Sequence, residues 1–166
     1  MPVSQALLNL LNKNKIKYEV LKHKMVYTAF DLAKTLHVDP KQIGKDLMMK
    51  IDREYVIAIV PATRNLDVPK LKKVINTQRK KEDKKAVKKM SFAQETWMKK
   101  NLKGKVGANP PFGTLQKLSV YLDKALMKVS KMIVNGGDYT YSVSLTPKQF
   151  VKLEKPILGS FGKARK

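Results

Sequence analysis

Apolar residues recur along this chain at two spacings, and the switches between them mark out its elements. Ala6, Leu7, Leu10 and Leu11 keep helical spacing behind Ser4, which is placed to cap a first helix that Asn12 to Asn14 ends. Ile16, Tyr18 and Val20 then alternate with polar neighbours, as a strand does. Thr28 and Asp31 have capping-box spacing ahead of a stripe of Ala29, Leu32, Ala33 and Leu36, and Asp39-Pro40 opens a short helical turn. Leu47 to Ile51 alternates, Asp52-Arg53-Glu54 is a polar turn, and Val56 to Val60 is unbroken apolar sequence. That stretch predicts a hairpin with one half-covered strand and one strand buried on both faces. Gly44 and Lys45 stand just outside it, so Lys45 is either a solvated strand entrance or a cation at the mouth of a pocket.

Beyond the hairpin, Asp67 caps a helix carrying Val68, Leu71, Val74 and Ile75. Gln78 to Lys89 is dominated by lysine and reads as an exposed basic loop or helix. Ser91 and Gln94 repeat the capping-box spacing ahead of Phe92, Trp97 and Met98, with Gly104 marking the helix end. Leu118, Val120 and Leu122 alternate, and Asp123 begins a short helical connection. Met132-Ile133-Val134 is a strand reaching Asn135-Gly136-Gly137-Asp138, a hairpin-type turn, after which Tyr139, Tyr141, Val143 and Leu145 share one face. Thr146, Pro147 and Gln149 open a last helix, and Gly159 to Lys166 reads as a small, basic, frayed tail. Interspersed helices and strands with short loops and two hairpins argue against a doubly wound parallel sheet. They predict an α+β fold in a single domain over residues 1–158, with a basic C-terminal tail over 159–166. Its mixed sheet curls into a partly closed, barrel-like arrangement flanked by helices.

Charge changes this picture more than size does. The 166 residues hold 35 Lys plus Arg against 13 Asp plus Glu, a net charge of +22, which favours a polyanionic partner through counterion release. Nucleic acid comes first; a membrane surface calls for a basic amphipathic helix or a lipidation signal, and neither is evident. A merely soluble lysine-rich surface is the alternative, because little of the charge is the arginine that reads bases. With no cysteine there is no disulfide, thiolate nucleophile or cysteine zinc site. No window approaches a transmembrane length and no secretory leader is present, so a cytoplasmic monomer is the default.

Candidate chemistry is sparse. His23 and His37 have no spaced Asp, Glu or Cys partner for a metal or a triad, and no phosphate-binding, dinucleotide or nucleophile-elbow motif occurs. The residues call for no cofactor and no metal. The loop Gly107-Ala108-Asn109-Pro110-Pro111-Phe112-Gly113 is rigid and rich in glycine and proline, and its backbone N–H groups can polarise a carbonyl. It can equally be a structural crossover, as Asn135-Gly136-Gly137 can be an ordinary turn. Lys84, Lys85, Lys88 and Lys89 are candidate phosphate contacts or simply a solvated face.

Ordered along the chain, these pieces resemble the YbaK-type aminoacyl-tRNA editing domain family, which includes the insertion domain of bacterial prolyl-tRNA synthetase. The resemblance runs from about Tyr18 to Leu153. It is carried by His23 with Thr28-Ala29, Ile43-Gly44-Lys45-Asp46-Leu47, Val56 to Ala62, Leu66-Asp67, Gly107 to Gly113, Val120-Tyr121-Leu122-Asp123 and Asn135-Gly136-Gly137. It implies a pocket that takes the aminoacylated 3′ end of tRNA and hydrolyses the ester of a mischarged tRNA, with cysteine or another small amino acid on tRNA(Pro) as the expected substrate. Lys45 matches the family's essential lysine and would hold the phosphate or carbonyl side of the terminal aminoacyl-adenosine. Gly107, Ala108 and Pro111 match the family's Gly-x-x-x-Pro loop, whose backbone N–H groups would stabilise the oxyanion, with water or a substrate ribose hydroxyl as nucleophile. His23, Tyr27, Asp46, Phe112, Gly113, Asn135, Gly136 and Gly137 would line the substrate, and Lys84, Lys85, Lys88 and Lys89 would hold the tRNA backbone. The Gly-Gly pair at 136 and 137, where the alanine-editing branch tends to carry a histidine, is closer to the branch that clears cysteine. Prolyl-tRNA synthetase is the implied protein partner. A non-catalytic tRNA- or synthetase-binding module of the same fold is the alternative.

Overall fold

Side chains that can cap a helix begin most of the helices. The computed structural model describes residues 4–165. Ser4 Oγ accepts from the Leu7 N–H at the start of α1 (Gln5–Lys13), which leads to β1 (Glu19–Lys22). Thr28 Oγ1 accepts from the Asp31 N–H to begin α2 (Ala29–Leu36), and Asp39 caps a 3₁₀ turn (Pro40–Gln42). The hairpin is β2 (Gly44–Ile51) and β3 (Glu54–Pro61), followed by β4 (Arg64–Leu66) and by α3 (Val68–Lys81), which Asp67 caps. Then come β5 (Met90–Phe92), α4 (Glu95–Asn101), α5 (Gly113–Gln116) and β6 (Ser119–Asp123), with a 3₁₀ turn (Lys124–Lys128) capped by Asp123. The chain closes with β7 (Met132–Asp138), β8 (Tyr141–Leu145), α6 (Pro147–Glu154) under Thr146, β9 (Ile157–Gly159) and β10 (Gly162–Ala164).

The strands form three sheets, ordered β5-β2-β3-β6-β9, β1-β8-β7 and β10-β4. The largest is antiparallel through β5, β2 and β3 and parallel through β3, β6 and β9. The expected mixed α+β organisation is present, but the sheet is not closed: β5 and β9 are free edges of the five strands, and a parallel bridge from Ile43 to Ile133 joins the start of β2 to β7. As its unbroken apolar run predicts, β3 is buried on both faces. Ile57 and Ile59 enter a core shared with Val134, Val143 and Phe150, while Val56, Ala58 and Val60 pack on Leu71 and Ile75 of α3. No helix among the described residues is long and apolar enough to cross a membrane.

Four expectations change. First, β2 begins at Gly44, so Lys45 and Asp46 are strand residues opposite Val60 and Ile59 rather than a solvated entrance. Second, Asn135 to Asp138 is the irregular end of β7 and not a turn; the chain reverses at Tyr139-Thr140, with a register shift between Asn135 and Asp138. Third, Ser91 pairs with Lys50 in β5, so it caps nothing, and α4 starts behind Gln94 without a side-chain cap bond and ends before Gly104. Fourth, the tail is not frayed: β10 pairs with β4, Phe161 is fully buried, and Asp123 Oδ2 accepts from the N–H groups of Phe161 and Gly162 at 3.1 and 2.7 Å. A large apolar side chain and two charge-assisted hydrogen bonds anchor a segment whose sequence looks like an end. Lys166 lies outside the described residues.

Candidate active site

A cleft of about 550 Å³ opens beside the start of β2. Strand alternation sends consecutive side chains to opposite faces, and at this end of β2 those side chains are a lysine and an aspartate. Lys45 turns toward β4, where its Nζ donates to the Arg64 carbonyl at 3.0 Å. Burial, and secondarily the Arg165 guanidinium, hold its pKa below the ordinary lysine range, a shift that nothing in the residues around Lys45 predicts. Asp46 turns toward β7, where Asn135 Nδ2 donates to its Oδ1 at 2.7 Å. Burial pushes this carboxyl up to about 7, against the smaller opposing effects of the Asn135 amide and its own backbone N–H.

The segment between β1 and α2 forms the facing wall. His23 Nδ1 lies 2.8 Å from the Lys24 carbonyl, which can only accept, so Nδ1 carries hydrogen; Nε2 is 3.0 Å from Ser142 Oγ. Tyr27 stands at the rim, 69% exposed, with its ring 5.0 Å from that of Tyr139. Arg165, delivered by β10, donates to the Ala62 carbonyl and lies over the Phe30 ring at 4.2 Å. Ser142, Tyr139 and Arg165 line the cleft and escaped the sequence reading. A serine within a buried strand was a signal for Ser142, but nothing local marks Arg165, which depends on the β4–β10 pairing.

The glycine-proline loop divides. Lys105, Val106, Gly107 and Ala108 form a β-turn closed by Ala108 N–H donating to the Lys105 carbonyl at 2.8 Å, with Gly107 at φ +88°. A left-handed third position is the mark of a type II turn and favours glycine there. The Gly107 N–H has no partner among the described residues, and Gly107 and Ala108 line the cleft. The Ala108 N–H is consumed by the turn, so it is not an oxyanion donor, contrary to expectation; Pro111, which has no N–H, is buried away from the cleft.

Phe112 and Gly113 also leave the predicted site. Phe112 is fully buried with its ring 5.4 Å from Phe150, and Gly113 opens α5 where a Cβ would come within 2.2 Å of the Leu118 carbonyl. A buried polar set holds this half: Asn109 Nδ2 donates to the carbonyls of Lys103 and Gly104, and Gln116 Nε2 to those of Lys103 and Pro110. Gly136 and Gly137 act as a clasp outside the cleft rather than as its lining. Gly137 donates to the Ala108 carbonyl and accepts from the Lys105 N–H, Gly136 accepts from the Ser4 N–H, and a Lys105–Asp138 ion pair of 2.8 Å secures the join. The register shift in β7 turns these backbone groups toward the loop.

The basic run is pinned at the far end of the hairpin. Val87 is buried, held by both ends of the Asn76 amide, and Asp52 accepts from the N–H groups of Lys88 and Lys89. Lys84, Lys85, Lys88 and Lys89 are exposed. Asp52 lies seven positions beyond Lys45, about 23 Å at the rise of a strand, so these lysines are not part of the cleft. Among the described residues no three His, Asp or Glu side chains gather as a metal-ion set.

The model of the family described as aminoacyl-tRNA editing domain matches residues 23–153. The prolyl-tRNA editing protein ProX of Acetoanaerobium sticklandii is 28% identical over 161 residues, covering 93% of this chain and 92% of that protein. The crystal structure of a candidate trans-editing enzyme for prolyl tRNA synthetase superposes with TM-score 0.79 at 19% identity, over 99% of both chains. That of the hypothetical protein APE2540 superposes with TM-score 0.82 at 15% identity, over 96% of this chain and 100% of that one. These two structural likenesses show a shared fold.

Proposed function

Because the chain belongs to the aminoacyl-tRNA editing domain family, we propose that it is a cytoplasmic trans-editing deacylase that hydrolyses the ester of mischarged tRNA. The proposed substrate is Cys-tRNA(Pro) or another small amino acid on tRNA(Pro); the name of the ProX relative, prolyl-tRNA editing protein, supports the tRNA part of this reading. The observation that carries this reading is the meeting, in one cleft, of the strand-held Lys45 and the Gly107 N–H of a rigid turn, which has no partner among the described residues. Lys45 anchors the phosphate or carbonyl side of the terminal aminoacyl-adenosine, and the Gly107 N–H stabilises the oxyanion as it forms. Water attacks the carbonyl, the ester C–O bond breaks, the tRNA hydroxyl leaves with the proton that water gives up, and the free amino acid is released. Attack by the neighbouring ribose hydroxyl moves the acyl group to that oxygen, from which water must then release it. An ester is already activated, so positioning and electrostatics suffice without a protein nucleophile. The lysines at 84, 85, 88 and 89 hold the tRNA backbone outside the cleft, and prolyl-tRNA synthetase is the partner to test.

The decisive measurement is deacylation of a panel of mischarged tRNAs by wild type and Lys45→Ala. Loss of one charge-assisted contact, worth about 1.5–3 kcal/mol, predicts at least about a tenfold fall in kcat/KM. Absence of hydrolysis by the wild type, or an unchanged rate in the variant, overturns the mechanism.

A further inference from the structure

Two carboxylates line the cleft, and only one of them is satisfied. Asp138 uses both oxygens: Oδ2 meets Lys105 Nζ at 2.8 Å, and Oδ1 accepts from the Thr140 N–H and hydroxyl. Asp46 is less well supplied: Oδ1 accepts from Asn135 at 2.7 Å, and apart from its own backbone N–H no other group among the described residues donates to the carboxyl. Among the described residues no cation pairs with it: the neighbouring Lys45 bonds to the Arg64 carbonyl on the other side, and Lys50, which shares its face of β2, lies about 13 Å along the strand. The carboxyl is accordingly pushed up to about 7 by burial, with no ion pair to oppose it. A half-satisfied carboxylate in a small, partly desolvated cleft is a receptor for a cationic donor.

We propose that Asp46 receives the α-ammonium of the substrate's aminoacyl group, so that the cleft accepts esters with a free α-amine and rejects N-acylated ones. The inference rests on the reading of this cleft as an aminoacyl-ester site. An aminoacyl ester has its cation one carbon from the reacting carbonyl, and Lys45 and Asp46 leave one strand end on opposite faces. That arrangement separates a group that holds the carbonyl or phosphate from one that holds the amine. Blocking the amine by acylation removes the charge and adds bulk against the Asp46–Asn135 pair. Peptidyl- and formyl-aminoacyl esters would then escape hydrolysis.

The test uses cysteinyl- and alanyl-tRNA(Pro) and their N-acetylated counterparts, each rate corrected for spontaneous hydrolysis, with wild type and Asp46→Asn. The substitution keeps an oxygen that accepts from Asn135. Wild type should prefer free-amine esters by at least about tenfold, and Asp46→Asn should lose about that factor on them while its rate on N-acetyl esters stays put. Equal losses on both ester classes would assign Asp46 to the chemistry or to folding and overturn the proposal. Wild type that does not discriminate overturns it without any variant, should Asp46→Asn not fold. If wild type hydrolyses no free-amine ester, the deacylase reading itself falls.

Discussion

Asp46 and Asp52 lie six positions apart on β2 and its turn, and their surroundings move them in opposite directions. Asp52 is fully exposed and takes the backbone N–H groups of Lys89 and Lys88, which hold its carboxyl below the usual range. Asp46 has one amide donor and little water, and burial pushes it up to about 7. One carboxylate ties the basic run to the hairpin; the other is left short of donors at the cleft. At this scale a charge that holds the fold is supplied with backbone donors, and a charge available to a ligand is deprived of them.

The largest effects should fall at the cleft end. Lys45→Ala should lower kcat/KM for deacylation at least about tenfold while leaving tRNA affinity, measured by filter binding, nearly unchanged. Replacing Lys84, Lys85, Lys88 and Lys89 by glutamine should do the reverse. Affinity should weaken several-fold and its dependence on salt flatten by up to about four in log-log slope, with kcat retained. An unchanged slope would return the run to a solvated face and remove the division of labour between the two ends.

Stability separates the two aspartates on a smaller scale. Between about pH 4 and 7 the folded Asp46 carboxyl keeps a proton that the unfolded chain has released, so wild-type stability falls as pH rises through that window and levels off above it. Asp46→Asn removes this fall. At pH 8 it should melt above wild type, by on the order of 1 kcal/mol once screening by water in the cleft is allowed for, even as it loses activity. Asp52 has the opposite sign: its depressed pKa contributes stability above the ordinary carboxylate range and loses it as pH falls through the folded value. Asp52→Asn keeps an acceptor for Lys88 and Lys89 and suits the left-handed backbone at φ +55°, so only a slight fall in melting temperature at neutral pH is expected, vanishing in acid. A calorimetric melt of both variants across pH 3 to 8 would check the two signs together.

Legibility followed how local each interaction is. Ser4, Thr28, Asp67 and Thr146 cap helices in the structure because a cap needs only its own first turn. The unbroken apolar run of β3 announced its burial for the same reason. The three-residue strands β4, β5, β9 and β10 had no such signature, since they exist only through their partners. Ser91 illustrates the cost of a purely local rule: its spacing suits a cap, but pairing with Lys50 takes it into a strand. Residues of the site came to light less by spacing than by resemblance, and even the resemblance could not divide the loop at 107–113.

Composition and periodicity by themselves determined the helices with caps, the doubly buried strand, the basic charge and the absence of cysteine chemistry, because each follows from side chains acting within a turn or from simple counts. Tertiary structure decided which of the loop's groups face a ligand. It put Gly107 in the cleft and Phe112 in the core, spent the Ala108 N–H inside a turn, and made a clasp of Gly137. It also turned Asp46 and Asp52 into different acids. Burial and the supply of hydrogen-bond donors are properties of what packs around a residue, and the neighbours of Asp46 at 135 and of Lys45 at 165 are far away in the chain.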